Sequence, residues 1–259
     1  MSQPTLSKVA IAPLEPGIFQ LQINDPQNDN RLDEALATDL VTALNQLAAE
    51  PTLKVLVLRG CKNEKSQDIF CAGGSLEFLR RLSSGEASEK ELFLAPYHLL
   101  NFPVPIVAAL EGQAVGGGLT LALYCDVLIA SDRSRYGVNF TTMGFTPGMG
   151  TTAILPLLVG DLFANEMMLT GKLYKGRELI NRGLFNHVVP RDEVYDLSLD
   201  IARRMAEKPR YVLEKLRDVL SQPRRQALQT AMSREHLLHE LCFAQPETRQ
   251  MIEEVYLQR

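Results

Sequence analysis

The chain has few cysteines and none in a metal-binding spacing. Its 259 residues include only Cys61, Cys71, Cys125 and Cys242, and no two of them form a CxxC pair. We therefore expect neither a disulfide framework nor a zinc site. This cysteine usage is typical of a reducing compartment, so we expect a cytoplasmic protein.

The chain also lacks a positive net charge and long apolar runs. The formal net charge is −4, so the composition gives no general attraction to nucleic acid. The most apolar run, from Gln113 to Cys125, is far shorter than the roughly 20 residues of a membrane-spanning helix. The N-terminal MSQPTLSK lacks the apolar core of a signal peptide. We expect neither a nucleic-acid nor a membrane partner.

Two glycine-rich turns are the most informative features present. The segment PIVAALEGQAVGGGLTLALYCD, from Pro105 to Asp126, predicts an apolar strand, a glycine turn and the start of an apolar helix. FCAGGSLEF, which starts at Phe70, predicts a second small-residue turn that enters another helix. Such turns let the backbone approach a ligand, and the N–H groups of the first helical turn point outward. Together they predict a site for an anion or a developing oxyanion.

The pattern of elements predicts an α/β fold. Residues 9–14 and 18–23 alternate as paired strands, and strands, turns and helices then follow one another as far as Pro190. From there on the chain is predicted to be helical, with breaks near Pro209, Pro223 and Pro246. We expect a core of residues 1–195 and a C-terminal helical subdomain of residues 196–259.

The motifs resemble those of the crotonase (enoyl-CoA hydratase/isomerase) superfamily over nearly the whole chain. In order, they are FCAGG (70–74), PIVAALEGQAVGGG (105–118), ALYCDVLIAS (122–131), GFTPGMGTT (144–152) and LTGKLYKGRELINRGLFNHVV (169–189). The resemblance implies a spiral of ββα units followed by helices that assemble homotrimers. It also implies an oxyanion hole at the backbone N–H groups of Gly74 and Gly117, which would hold a thioester carbonyl. The alternative is that these glycines only close tight turns.

Two departures from the family pattern argue against ordinary hydration. Hydratases of the family carry one glutamate where this chain has Thr120 and a second where it has Phe140. Addition of water needs a general base and a general acid, and these two residues are poor substitutes. We expect a drier pocket, which favours chemistry that removes a carboxylate.

This pattern is similar to the second crotonase of polyketide β-branching cassettes. The run NFTTMGFTPGMG (139–150), the EKPR turn (207–210) and EHLLHELCF (235–243) carry the likeness. It implies a decarboxylating lyase that acts on a 3-methylglutaconyl-type thioester of an acyl carrier protein, through a dienolate. No metal or organic cofactor is implied, since phosphopantetheine belongs to the carrier.

The resemblance places a catalytic histidine on a C-terminal helix, and His239 is the residue predicted for that role. Histidine can donate or relay a proton near neutral pH. The alternative is a structural histidine in the core or at an interface. His236 shares a helical face with it, but two histidines without a further ligand are weak evidence for a metal.

Further residues are predicted to bind substrate. Some members of the subfamily have a lysine one turn after an aromatic residue; here Phe78 is the aromatic residue and Leu82 occupies the lysine position. The remaining predicted pocket residues are Tyr97, Asn139 and Phe140. Arg80 and Arg81 are predicted to dock the phosphate or the acidic surface of a carrier protein, or else they are solvated charges.

Several alternatives remain open from the sequence. The carrier-protein and coenzyme A forms of the substrate are not distinguished, and neither is the position of the product double bond, so an isomerase outcome is included. The other functions considered are an enoyl isomerase or hydratase-like enzyme and a non-catalytic trimeric scaffold.

Overall fold

The computed structural model describes residues 6–257, apart from the side chain of residue 91, and contains two β-sheets. The larger sheet has six strands, β1 (Val9–Glu15), β2 (Ile18–Ile23), β3 (Val55–Arg59), β6 (Ile106–Leu110), β8 (Val127–Ser131) and β11 (His187–Val189). They lie side by side in this order. β1 and β2 are antiparallel, and every other neighbouring pair is parallel.

Strands β3, β6 and β8 are apolar apart from the last residues of β3 and β8, Arg59 and Ser131, because both faces of the sheet are covered. Leu56 and Leu58 belong to the main core, which also contains the helix α1 (Glu34–Ala48). Val55 and Val57 point to the other face and pack with the helix α7 (Val194–Ala206). The alternation along β3 thus holds the sheet between two helical layers.

The smaller sheet positions the two glycine turns. Its strands are β4 (Cys61–Lys62), β5 (Asp68–Cys71), β7 (Gln113–Val115), β9 (Arg135–Gly137) and β10 (Tyr174–Lys175). β5 and β7 are parallel neighbours. The helix α2 (Leu76–Ser84) follows β5, and the helix α4 (Gly117–Ala122) follows β7. Both helices therefore begin at the same edge of the sheet.

The remaining helices cover this edge and the core. They are α3 (Lys90–Leu100), α5 (Thr151–Val159), α6 (Asp161–Thr170), α8 (Arg210–Phe243) and α9 (Pro246–Leu257). α8 packs against α3 and α5, and α9 packs against α2. The predicted division after residue 195 falls inside α7 and stays a prediction.

The predicted helix break at Pro223 is wrong, because α8 continues through this residue. A proline inside a helix removes one backbone hydrogen bond. Buried residues on both sides, Ser221 before and Leu228 after, hold the helix against the core. Arg225 also donates to the backbone carbonyl of Asp218, in the turn before the proline. The predicted breaks near Pro209 and Pro246 are confirmed.

None of the helices formed by residues 6–257 combines the length and the apolar character needed to cross a membrane.

Candidate active site

The two glycine turns converge on one cavity, which both Gly74 and Gly117 line. Around Gly74, Leu32 N–H donates to the Gly73 carbonyl, and Ser75 N–H donates to the Leu32 carbonyl. This bridge does not use the Gly74 N–H. Gly117 is the first residue of α4, where a helical N–H has no partner within the helix. Two backbone donors are thus available at adjacent strand ends.

A side chain at either turn would disturb this arrangement. A Cβ atom on Gly117 would lie 2.8 Å from Leu32 Cδ1 and 2.9 Å from Met149 Sδ. Gly73 has a φ of +90°, and a Cβ there would lie 3.0 Å from the Val115 carbonyl oxygen. Glycine at position 73 is therefore favoured by its backbone conformation and by the close approach of Val115, whereas a side chain at position 117 would have to move Leu32 or Met149.

The cavity has a volume of about 50 Å³ and a predominantly apolar lining. Its walls include residues of α2 and α3, from the first half of the chain, and of α8 and α9, from its C-terminal part. The side chains that line it include Leu32, Phe78, Leu79, Leu82, Leu92, Phe93, Phe140, Met143, Phe145, Met149 and Val255. The titratable side chains that line it, among residues 6–257, are Glu89, His239 and Tyr256.

His239 is fixed through both ring nitrogens. Nδ1 forms a hydrogen bond with Oε1 of Glu89, and Nε2 donates to the backbone carbonyl of Thr146 at 2.6 Å. Burial alone would lower the pKa of His239, but the bonds to Glu89 and Thr146 and the nearby Glu235 raise it above its ordinary value of 6.5. The imidazole is therefore held in one orientation and tends to keep its proton.

Glu89 is a cavity residue that the sequence did not reveal. It immediately precedes α3, lies 150 residues away from His239 in the sequence, and its side chain is only 8% exposed. In SSGEASEKELF it reads as one of several polar residues in a loop. The missed signal was its position: an acid one residue before an apolar helix that packs on α8.

A second glutamate, Glu235, ties α8 to the loop that carries Thr146. Its carboxylate accepts hydrogen bonds from the backbone N–H groups of Gly150 at 2.6 Å and Thr152 at 2.9 Å. Burial raises the pKa of Glu235, although these bonds act in the opposite direction. Because Glu235 and His239 are one helical turn apart, the loop that carries Thr146 and the start of α5 are bound to the same face of α8.

The two positions of the hydratase glutamates have different surroundings. Thr120 is fully buried and does not line the cavity; its hydroxyl lies 3.1 Å from the Gly116 carbonyl and 2.7 Å from the Thr151 hydroxyl. Phe140 does line the cavity and makes an edge contact with Phe145, whose ring in turn contacts that of His239. An apolar ring thus occupies a wall where the family's hydratases carry an acid.

The structure brings together six of the residues predicted for the site. His239, Gly74, Gly117, Phe78, Asn139 and Phe140 all line the cavity. Leu82, at the position of the absent lysine, lines it as well. Their functional roles stay predictions.

The structure places the other three predicted residues outside the cavity. Tyr97 is 51% exposed on the outer side of α3, because the inner side is taken by Leu92 and Phe93. Arg80 forms an ion pair with Glu253 of α9. Arg81 forms a bidentate pair with Glu34, with distances of 2.6 and 3.0 Å. The prediction that these residues border the pocket is corrected accordingly.

Tyr256 of α9 is a further cavity residue that was not predicted. Its hydroxyl donates to the backbone carbonyl of Gly74, and its ring lies under the guanidinium of Arg31. The last helix thus braces the turn that carries one of the two backbone donors. Within residues 6–257, no cluster of three or more His, Cys, Asp or Glu side chains is arranged to hold a metal ion.

The chain is similar in sequence to known proteins over nearly its whole length. The family model for enoyl-CoA hydratase/isomerase matches residues 14–257. The chain is 34% identical over 254 residues to the bacillaene synthase decarboxylase PksI of Bacillus subtilis, a match that covers 97% of this chain and 99% of that protein.

Solved structures of decarboxylases also resemble the chain over nearly its whole length. One belongs to a dehydratase/decarboxylase enzyme couple involved in polyketide β-branching; it superposes with a TM-score of 0.90 at 33% identity and covers 96% of this chain and 99% of that one. Another is the ECH2 decarboxylase domain of CurF from Lyngbya majuscula, with a TM-score of 0.86, 31% identity and coverage of 95% and 98%.

Proposed function

The chain belongs to the enoyl-CoA hydratase/isomerase family, and we propose that within this family it is a decarboxylating lyase of polyketide β-branching. Its proposed substrate is a 3-methylglutaconyl-type thioester on an acyl carrier protein. The names of its relatives point to this reaction class.

The observation that carries the proposal is the content of the cavity. Two backbone N–H donors lie at one end of it, and the imidazole of His239 forms another part of its wall. The positions that carry acids in hydratases hold a threonine outside the cavity and a phenylalanine within it. This site can stabilise an oxyanion and supply a proton, but it lacks the pair of carboxylates that activates water.

The proposed reaction follows from these groups. The thioester oxygen accepts hydrogen bonds from the Gly74 and Gly117 N–H groups. The bond to the distal carboxylate breaks and CO₂ leaves; the electron pair moves through the double bond onto the thioester oxygen, which gives a dienolate. One proton then adds to the α- or γ-carbon as the thioester carbonyl re-forms. Removal of a single oxyanion donor lowers kcat by about 10²–10³ in other enzymes.

The apolar lining of the cavity also favours loss of CO₂. A carboxylate carries a full charge, whereas the departing CO₂ is neutral, so an apolar wall stabilises the product side relative to the reactant. Phe140 and Phe145 supply this wall next to His239. Since the backbone donors hold the developing charge, we propose that the reaction needs no metal or organic cofactor.

A carrier protein is the proposed partner, and a homotrimer is the proposed assembly. Arg80 and Arg81 lie on α2, the helix that follows the Gly74 turn, on the side away from the cavity. Each is paired with a glutamate, so docking of a phosphate or an acidic carrier would have to compete with those pairs. This competition predicts a contribution to affinity that depends on salt concentration.

Intact-protein mass spectrometry of a loaded carrier protein tests the proposal. A 3-methylglutaconyl carrier protein incubated with the enzyme should lose the mass of one CO₂, and NMR of the released acyl chain should then locate the double bond. A gain of one water would instead establish hydration. An unchanged mass with both carrier-protein and coenzyme A thioesters would contradict any catalytic role on this substrate class.

A further inference from the structure

One polar side chain in the wall of the cavity has no hydrogen-bond partner among residues 6–257. Asn139 lines the cavity and is only 5% exposed, and within the described part of the chain its carboxamide forms no hydrogen bond. A buried carboxamide without a partner costs free energy of folding. In a predominantly apolar cavity, such a group is typical of a position where a ligand supplies the missing bond.

The backbone position of Asn139 makes the free carboxamide more informative. Asn139 immediately precedes the short 3₁₀ helix Phe140–Met143, where an asparagine side chain commonly accepts a hydrogen bond from the first helical turn. Here the side chain makes no such bond, and only the backbone carbonyl is used, by the N–H and the hydroxyl of Thr142. The carboxamide oxygen instead lies 3.3 Å from the position that a Cβ atom on Gly116 would take. The side chain therefore faces the glycine turn and the cavity.

The other polar side chains that line the cavity are already bonded to the protein. Glu89 and His239 bond each other, and the second ring nitrogen of His239 bonds a backbone carbonyl. Tyr256 donates to the backbone carbonyl of the first glycine turn. No lysine or arginine of the described chain lines the cavity. With the two backbone donors assigned to the thioester oxygen, Asn139 is the side-chain donor that remains for another part of the substrate.

The proposed substrate needs such a donor for its distal carboxylate. A carboxylate enters an apolar cavity only when protein donors replace the water that it loses. A carboxamide offers two N–H groups and carries no charge. A cation would stabilise the carboxylate strongly and so oppose its conversion to CO₂, whereas a neutral donor opposes it less.

We propose that the carboxamide of Asn139 binds the distal carboxylate of the substrate, with Nδ2 donating to one carboxylate oxygen. This role rests on the proposed function. The bond orients the carbon–carbon bond that breaks, and it selects acyl chains that end in a carboxylate. Asn139 precedes Phe140, at the position where hydratases of the family carry an acid. In this chain a neutral donor and an apolar ring thus stand side by side in that wall.

Binding of two unreactive thioesters tests this role. The 3-methylglutaryl thioester of pantetheine carries the distal carboxylate but has no double bond to take up the electron pair. The isovaleryl thioester is the same chain without the carboxylate. In titration calorimetry, Asn139→Ala should bind the first about ten- to a hundredfold more weakly than the wild type does and should bind the second equally well. Asn139→Asp, which has nearly the same shape, should bind the first more weakly still, because two like charges would meet.

A matched control and three outcomes complete the binding test. Asn45→Ala removes an exposed carboxamide on α1 and should change the binding of neither thioester. The proposal would be overturned by a wild type that binds both thioesters equally, or by an Asn139→Ala variant that keeps the wild-type preference. Equal weakening of both thioesters would also overturn it, because the carboxamide would then act on the thioester or on the packing of the wall.

Steady-state kinetics distinguishes this role from that of a third oxyanion donor. The carboxylate loses its charge as CO₂ forms, so a hydrogen bond to it is weaker in the transition state than in the bound substrate. Asn139→Ala should therefore raise KM for the 3-methylglutaconyl thioester without lowering kcat. A lower kcat at an unchanged KM would contradict the proposal, since it is the result expected for a donor to the developing oxyanion.

The binding test does not depend on turnover, so its failure is distinguishable from that of the proposed function. A wild type that releases no CO₂, yet prefers the 3-methylglutaryl thioester through Asn139, would contradict the proposed function alone. A wild type that releases CO₂ and keeps its preference in Asn139→Ala would contradict the role of Asn139 alone.

Discussion

The two ends of the cavity are built in different ways. At one end, Gly74 and Gly117 contribute backbone N–H groups from turns that follow two neighbouring parallel strands. At the other end, Glu89 and His239 contribute side chains from helices that meet only through tertiary packing of α3 on α8. The first end carries no group that titrates near neutral pH, whereas the second does.

The two ends have different parts in the reaction. The backbone end depends on the sheet and on glycine, and it suits any reaction that passes through a thioester oxyanion. The side-chain end decides which bond is broken and where a proton goes. We expect changes at the two ends to differ in their pH profiles as well as in their size.

The largest effect is expected for His239→Gln, which removes the titrating group. We expect kcat to fall about 10³-fold, because general acid–base catalysis is typically worth about 10²–10⁴. The remaining activity should depend little on pH. Single-turnover kinetics across a pH range would measure this, with His98→Gln as the control on α3, since His98 does not line the cavity. A variant that keeps the wild-type rate would remove His239 from the mechanism.

The next largest effect is expected for Gly117→Ala, which disturbs the backbone end. Alanine keeps the backbone N–H, but its methyl must displace Leu32 or Met149, which line the cavity. We expect kcat/KM to fall by up to about 10²-fold, the lower end of the cost of losing one oxyanion donor, and by the same factor at every pH. Gly85→Asn is a matched control: Gly85 has a φ of +78° and an open surrounding, and asparagine tolerates this conformation. Full activity of Gly117→Ala would show that the reaction does not depend on the packing around this turn.

The free energy of unfolding should depend on pH through the side-chain end. Because the folded state raises the pKa of His239 above 6.5, its stabilisation is complete below that pH and is lost as the pH rises through the folded value. Glu235, whose pKa is also raised, acts in the same direction at lower pH.

Urea unfolding of the wild type and of His239→Gln at several pH values would measure this contribution. The wild type should lose stability relative to the variant above pH 6.5, by at most about 1.4 kcal/mol per pH unit for one proton. Parallel curves for the two proteins would show that His239 has an ordinary pKa in the folded state.

The smallest effect is expected for Arg80→Gln, which lies outside both ends. It should leave kcat unchanged and raise KM by a few-fold for a carrier-bound substrate only, because exposed ion pairs contribute little. Comparing carrier-protein with coenzyme A thioesters at low and high salt would detect this. An equal change in KM for both substrates would instead indicate that Arg80 contacts the phosphopantetheine that both substrates contain, not the carrier surface.

The backbone end and much of the fold could be predicted from the sequence. The triplet at Gly116, Gly117 and Gly118 marks a strand-to-helix turn, and the spacing of Leu36, Leu40 and Leu44 marks α1. These signals are local, so the sequence contains them directly.

The side-chain end and the outer surface could not be predicted in full. His239 was expected from the family resemblance, but its partner Glu89 depends on a contact across 150 residues, and no local pattern reports such a contact. Tyr97 was predicted to line the pocket because the sequence alone does not show which face of α3 packs inward. Pro223 was expected to end a helix that tertiary packing in fact maintains.

The hydroxyl pair formed by Thr120 and Thr151 has an evolutionary consequence. A hydratase ancestor or descendant would need an acid at position 120, yet this position is fully buried, and the Thr151 hydroxyl lies 2.7 Å from that of Thr120. A glutamate there would have to displace Thr151, which itself holds the Gly148 carbonyl next to His239. A glutamate at position 120 therefore needs a compensating change at Thr151, and Thr120→Glu alone should destabilise the segment that carries Gly148.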